Sequence, residues 1–76
     1  MAGALILIST AIDKMKDVYG EIKAQEKIQE AQMITGPYDI MAIAEAEDIT
    51  GVTDVLMEKI RDMDGIEDTV TCIFIE

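Results

Sequence analysis

A chain of 76 residues makes one domain and leaves little margin for a core of its own. It has no histidine and a single cysteine, Cys72, which excludes an internal disulfide and a Cys/His zinc site. A net charge of −10 argues against a direct nucleic-acid footprint, and a composition that is 50% hydrophobic argues against disorder.

The apolar run from Ala4 to Ser9 predicts a strand buried on both faces. With the residues before it, the run is too short for a transmembrane helix and lacks the basic flank of a signal peptide. No membrane association is expected, and with one thiol the expected compartment is the cytoplasm. Thr10-Ala-Ile-Asp13 reads as a capping box. It opens a helix that carries Ile12, Met15, Val18, Tyr19 and Ile22 at helical spacing. Gly20 inside that helix disfavours it by about 1 kcal/mol relative to alanine, which points to a kink or to close packing.

Ile28 to Thr35 predicts a strand whose polar content marks an edge. Gly36-Pro37 punctuates it as a turn, and Asp39 to Ala46 follows as an apolar strand, so the two form a hairpin. A second helix spans about Thr50 to Met63, with Ile49, Val52, Leu56, Ile60 and Met63 on one face and Asp64-Gly65 at its end. The last strand is Thr69 to Ile75. Ile28-Gln-Glu-Ala and Ile66-Glu-Asp-Thr follow the two helices in similar ways, a weak internal repeat of one β-α-β unit. Residues 1–76 therefore read as one α+β domain in the order βαββαβ. This is the ferredoxin-like arrangement, a four-stranded antiparallel sheet with two helices on one face.

The other face of that sheet is not polar. Leu5 and Leu7 alternate with Ile6 and Ile8, and Met41 and Ile43 with Ile40, Ala42 and Ala44. Val70, Cys72 and Phe74 alternate with Ile73 and Ile75. At about 25 cal/mol per Å² of apolar area, a wet face forgoes several kcal/mol. A second copy packed face to face satisfies both, as a dimeric α+β barrel or sandwich. Cys72 and the methionines Met15, Met33, Met41, Met57 and Met63 are read as small or flexible fillers of core and interface.

Two stretches carry a family resemblance: Ile28-x7-Gly36-Pro-Tyr38-Asp39-Ile40, and Asp64-Gly65-Ile66-Glu-Asp-Thr69-Val-Thr71. Together they resemble the ligand-binding domain of the Lrp/AsnC feast/famine regulators, the RAM domain. That family shows Gly-x-Tyr-Asp at the hairpin, a helix ending in Gly-Val, and a Thr-x-Thr strand. The resemblance covers essentially the whole chain and implies a stand-alone version without the helix-turn-helix domain. It implies a homodimer assembling into a ring, with an amino-acid effector between dimers near the hairpin loop and the last strand. It also implies action on transcription through partner regulators, including mixed assembly with full-length Lrp-like regulators.

The residues supply the chemistry for such a ligand. Gly36, flanked by Pro37, lets backbone N–H groups approach a carboxylate. Thr35, Thr69 and Thr71 offer hydroxyls, Asp39 a carboxylate for an ammonium, and Tyr38 a flat wall with a polar tip. Plainer roles stand beside these. Gly36-Pro37 is first a turn, Asp39 is suited to cap turn amides, Tyr38 to pack an interface, and Thr69 and Thr71 to form an edge strand. The basic residues Lys14, Lys16, Lys23, Lys27, Lys59 and Arg61 read as solvated helix faces. Glu45, Glu47 and Asp48, and Glu67 with Asp68, read as solvated loop charge without ion-binding spacing.

A non-catalytic binding module is therefore the leading expectation, with no cofactor. A small enzyme of the dimeric α+β barrel type is the alternative. It lacks histidine and any acid–base pair at telling spacing. A purely structural assembly subunit is the third reading.

Overall fold

The computed structural model describes residues 2–75, apart from the side chains of residues 55–57. Leu56, expected on the inner face of the second helix, and Met57, expected as filler, lie outside the described side chains. Four strands and two helices follow in the order βαββαβ: β1 (Ala2–Thr10), α1 (Met15–Lys23), β2 (Ile28–Met33), β3 (Ile40–Ala46), α2 (Ile49–Asp54) and β4 (Ile66–Ile73). The sheet order is β2-β3-β1-β4, antiparallel throughout. This is the ferredoxin-like fold, with β2 and β4 as its edges. α1 lies over β2 and β3, and α2 over β3 and β1.

The strands alternate, as a half-covered sheet requires. Ala4, Ile6, Ile8 and Thr10 of β1, and Ile40, Ala42, Ala44 and Ala46 of β3, are buried under the helices. Val18 and Ile22 of α1, with Val52 and Ile60, close that layer from above. Much of the sheet's contribution here is alanine, which lets the helices sit close. The bulkier Leu5, Leu7, Met41, Ile43, Val70 and Phe74 point the other way, by their register opposite Cys72, Val70, Leu7 and Leu5 and by alternation. On that open side Phe74 packs against Gly3, where its ring carbon lies 3.0 Å from the position of an added Cβ.

Several elements differ from expectation. No capping box opens the first helix. Thr10 ends β1, where it is 5% exposed with its hydroxyl unpartnered among the described residues. The extended Ala11 leads into a tight 3₁₀ turn, Ile12–Lys14, with no side-chain cap. That turn rotates Ile12 out of the helical stripe, leaving it 96% exposed. The second helix ends at Ile60 rather than Met63. It passes from α2 into a wider π-helical turn, Val55–Ile60, and its first residue, Ile49, is exposed. β4 starts at Ile66, taking in the acidic Glu67-Asp68 that reads as a loop in sequence. Cys72 is exposed rather than buried, because alternation puts it on the uncovered face.

Tyr19 fastens α1 to the sheet edge, its hydroxyl donating to the carbonyl of Ala31 at 3.2 Å. Gly20, in the same helix, meets nothing within 4 Å of an added Cβ, so close packing does not account for it. Gly20→Ala should therefore stabilise the protein by about 0.5–1 kcal/mol through helix propensity. The check is the melting temperature at fixed protein concentration, where a fall would show that the position is occupied by another chain.

Candidate functional site

Residues 34–39 join β2 to β3. Ile34 donates its N–H to the Asp39 carbonyl at 2.8 Å, and the Asp39 N–H donates to the Ile8 carbonyl at 2.9 Å. The Asp39 carboxylate accepts the Thr10 N–H at 2.9 Å. Asp39 thus anchors the loop to the end of β1; the amide that its carboxylate holds belongs to that strand and not to the turn. Gly36 has φ +131°, a conformation that favours glycine, and stands with Thr35 and Pro37 in solvent. Tyr38 is half-buried.

Thr69 pairs with Ile8 on one side of β1, and Ile40 pairs with Ile8 on the other. Two strand spacings, about 9.6 Å, therefore separate the loop strand from β4 at this end of the sheet. The protomer brings Gly36 to Asp39 and Thr69 to the same sheet end but does not join them in one cavity. Thr71, opposite Ile6, lies further along on the helix-covered side with its hydroxyl buried and unpartnered among the described residues.

Thr69 does line a cleft. About 170 Å³ opens at the start of β4, walled by Arg61, Ile66, Glu67, Asp68 and Thr69. The Asp68 carboxylate accepts the Thr69 N–H at 2.9 Å. The turn leading into the cleft is pinned by Met63 N–H to the Ile60 carbonyl (3.1 Å), and by Ala11 N–H to the Gly65 carbonyl (2.8 Å). In sequence Arg61 reads as part of a solvated helix face, and Glu67 and Asp68 as solvated loop charge. The available signal was that Arg61 is the chain's single arginine among lysines. On the far side of that turn Lys14 pairs with Asp64 at 3.3 Å. The Asp64 hydrogen bond and charge, helped by Asp13, hold the lysine above its ordinary pKa. Among the described residues no three acidic or cysteine side chains converge as metal ligands do, and no helix is long and apolar enough to cross a membrane.

The family model described as the Lrp/AsnC ligand binding domain matches residues 3–76. The chain belongs to this family. Hypothetical protein PHS023 from Pyrococcus horikoshii is 33% identical to this Lrp/AsnC domain, with a TM-score of 0.92 over 100% of this chain and 92% of that one. E. coli AsnC is 25% identical, with a TM-score of 0.91 over 99% of this chain and 51% of AsnC. Transcriptional regulator NMB0573 from Neisseria meningitidis, solved as an L-Met complex, is 17% identical with a TM-score of 0.86, over 99% of this chain and 50% of that one, and shares the fold. The Lrp/AsnC domain here thus spans about half of each of these two regulators. A search of curated proteins finds no match.

Proposed function

We propose that this Lrp/AsnC domain is a non-catalytic, cytoplasmic amino-acid sensor that works as an oligomer. Two copies pair through the open sheet faces, dimers join into a ring, and the effector sits at the junction between dimers beside the 35–39 loop and β4. Effector binding alters assembly and so transcription, through full-length regulators of the same family. The observation that carries the reading is the match to a ligand-binding family over residues 3–76. The uncovered apolar face supports pairing, since an exposed patch of this kind marks an interaction surface. The NMB0573 regulator holds L-Met, but at its identity the likeness carries the fold, so the amino-acid class here rests on the family.

A thermal-shift panel of the common amino acids, run beside sizing by sedimentation, tests the sensor. A ligand specific to the native state raises stability by about 2.7 kcal/mol at one hundred times its Kd. At least one amino acid should shift the melting temperature and the oligomer distribution together. An oligomer that no amino acid shifts would be a structural subunit instead.

A further inference from the structure

We infer that dimers join through their β4 edges: Thr69 to Ile73 of one protomer pairs antiparallel with the same segment of a second copy, about a two-fold axis at Thr71. The inference rests on the ring assembly proposed above and names the surface that builds it.

One bond fixes where the backbone groups of β4 point. Phe74 donates its N–H to the carbonyl of Gly3, directly opposite, at 2.9 Å. In an antiparallel ladder, bonded and unbonded pairs alternate. The same register sets Cys72 opposite Leu5 and Val70 opposite Leu7, so those pairs are bonded to β1. The N–H and carbonyl groups of Thr69, Thr71 and Ile73 therefore point away from the sheet. A row of such groups is a template for another strand.

The other edge is protected. The register of β2 breaks between Ile28 and Glu30, and the Tyr19 hydroxyl occupies the Ala31 carbonyl. β4 keeps an unbroken register with β1 from Asp68 to Ile73. Thr69 to Ile73 carries no charge, so a copy paired on this segment sets no like charges opposite one another. One outward group has a local partner: the Thr69 N–H donates to the Asp68 carboxylate at 2.9 Å, in solvent. Exchanging that exposed bond for one to a strand costs little.

The Thr71 hydroxyl selects a second copy as the occupant. It is buried on the helix-covered side with no partner among the described residues, a state that folded proteins seldom leave unresolved. A two-fold axis at Thr71 sets it directly beside the partner subunit's Thr71. A turn about χ1 then exchanges its hydroxyl with its methyl group and brings the two hydroxyls together across the strands. In the backbone Thr71 exchanges bonds with the partner subunit's Thr71, and Thr69 with the partner subunit's Ile73. Ile73, 41% exposed in the protomer, is covered in the process. A face-to-face dimer carries one β4 edge per protomer, so this contact links dimer to dimer. Thr69 then lies at the margin of the junction, at the sheet end that carries the 35–39 loop.

Sedimentation of the whole chain carrying Thr71→Pro tests this. The Thr71 N–H points outward, so proline removes no bond within the protomer while it denies one to a second strand. The wild type should form tetramers and larger species. The variant should stop at the dimer, with association between dimers at least tenfold weaker and the circular dichroism unchanged. If the proline variant folds poorly, Thr71→Cys combined with Cys72→Ser decides. The two introduced thiols would sit on strands whose Cα atoms are about 5.5 Å apart, within reach of a disulfide. They lie on the side away from the open face, so face-to-face pairing cannot join them. Oxidation should give covalently linked pairs. Larger species that survive Thr71→Pro overturn the inference, as does a folded Thr71→Cys, Cys72→Ser variant that forms them without cross-linking. A wild type that stops at the dimer instead removes the ring reading, and this inference with it.

Discussion

In about 0.5 M salt the protein should self-associate roughly tenfold more tightly than at a physiological ionic strength of about 0.15 M, and the gain should be larger from about 20 mM. Two bodies of −10, with centres roughly 20 Å apart, repel by about 20 kcal/mol unscreened in water. A Debye length of about 8 Å at physiological ionic strength cuts this to about 2 kcal/mol, and more salt removes most of the remainder. Local charge has the same sign. The register puts Glu30 opposite Ile43, Glu45 opposite Gly3 and Asp68 opposite Ser9, all toward the open side. Among the described residues no lysine or arginine takes a register position on that side. Whatever the rotation of one copy on the other, the strand-borne charges on this face are alike. Sedimentation equilibrium across a salt series checks this, and association that loosens with salt would mean that the pairing surface lies elsewhere. Glu45→Gln should tighten pairing and flatten the salt slope.

Gly65→Ala should destabilise the fold by about 2–4 kcal/mol, enough to lower the melting temperature of a domain this size by at least about 10 °C. Gly65 has φ +98°, in the left-handed region, which costs a side-chain-bearing residue about 1–2 kcal/mol. The added Cβ would lie 2.5 Å from Lys14 Cβ and 3.3 Å from Val18 Cγ2. Val18 is fully buried, so the overlap reaches the core, and overpacking adds about 1–3 kcal/mol. Gly36→Ala is the control. Its φ is also positive, but nothing lies within 4 Å of the new Cβ, so it should cost about half as much or less. Thermal melts of both variants at one protein concentration settle it. Equal losses would mean that conformation alone, not the approach of α1, sets the requirement for glycine at 65.

The element order, the buried faces and both sheet edges were legible in the sequence because hydrophobic period 2 and period 3.6 are strong over long runs. Legibility failed where a local motif competed with tertiary pairing. Thr10-x-x-Asp13 fits a capping box, but the Asp39 carboxylate holds the Thr10 amide and keeps the residue in the sheet. Glu67 and Asp68 look like loop charge, yet a bulged edge strand solvates such residues without losing its ladder. Asp39 was legible as polar chemistry at the hairpin, but its bond across to β1 joins residues 29 positions apart, which no local pattern encodes. Arg61 was hidden for a related reason. Its neighbours in the cleft come from the next strand, beyond a turn whose path depends on a π-helical segment.

The sheet's side chains are unevenly divided by size. Alanines at 4, 42, 44 and 46 face the helices, while Leu5, Leu7, Met41, Ile43 and Phe74 face away. If the open faces pair as proposed, much of this packing volume is completed only by a neighbour. The melting point should then rise with the amount of protein in the tube, and dilution should act as a denaturant.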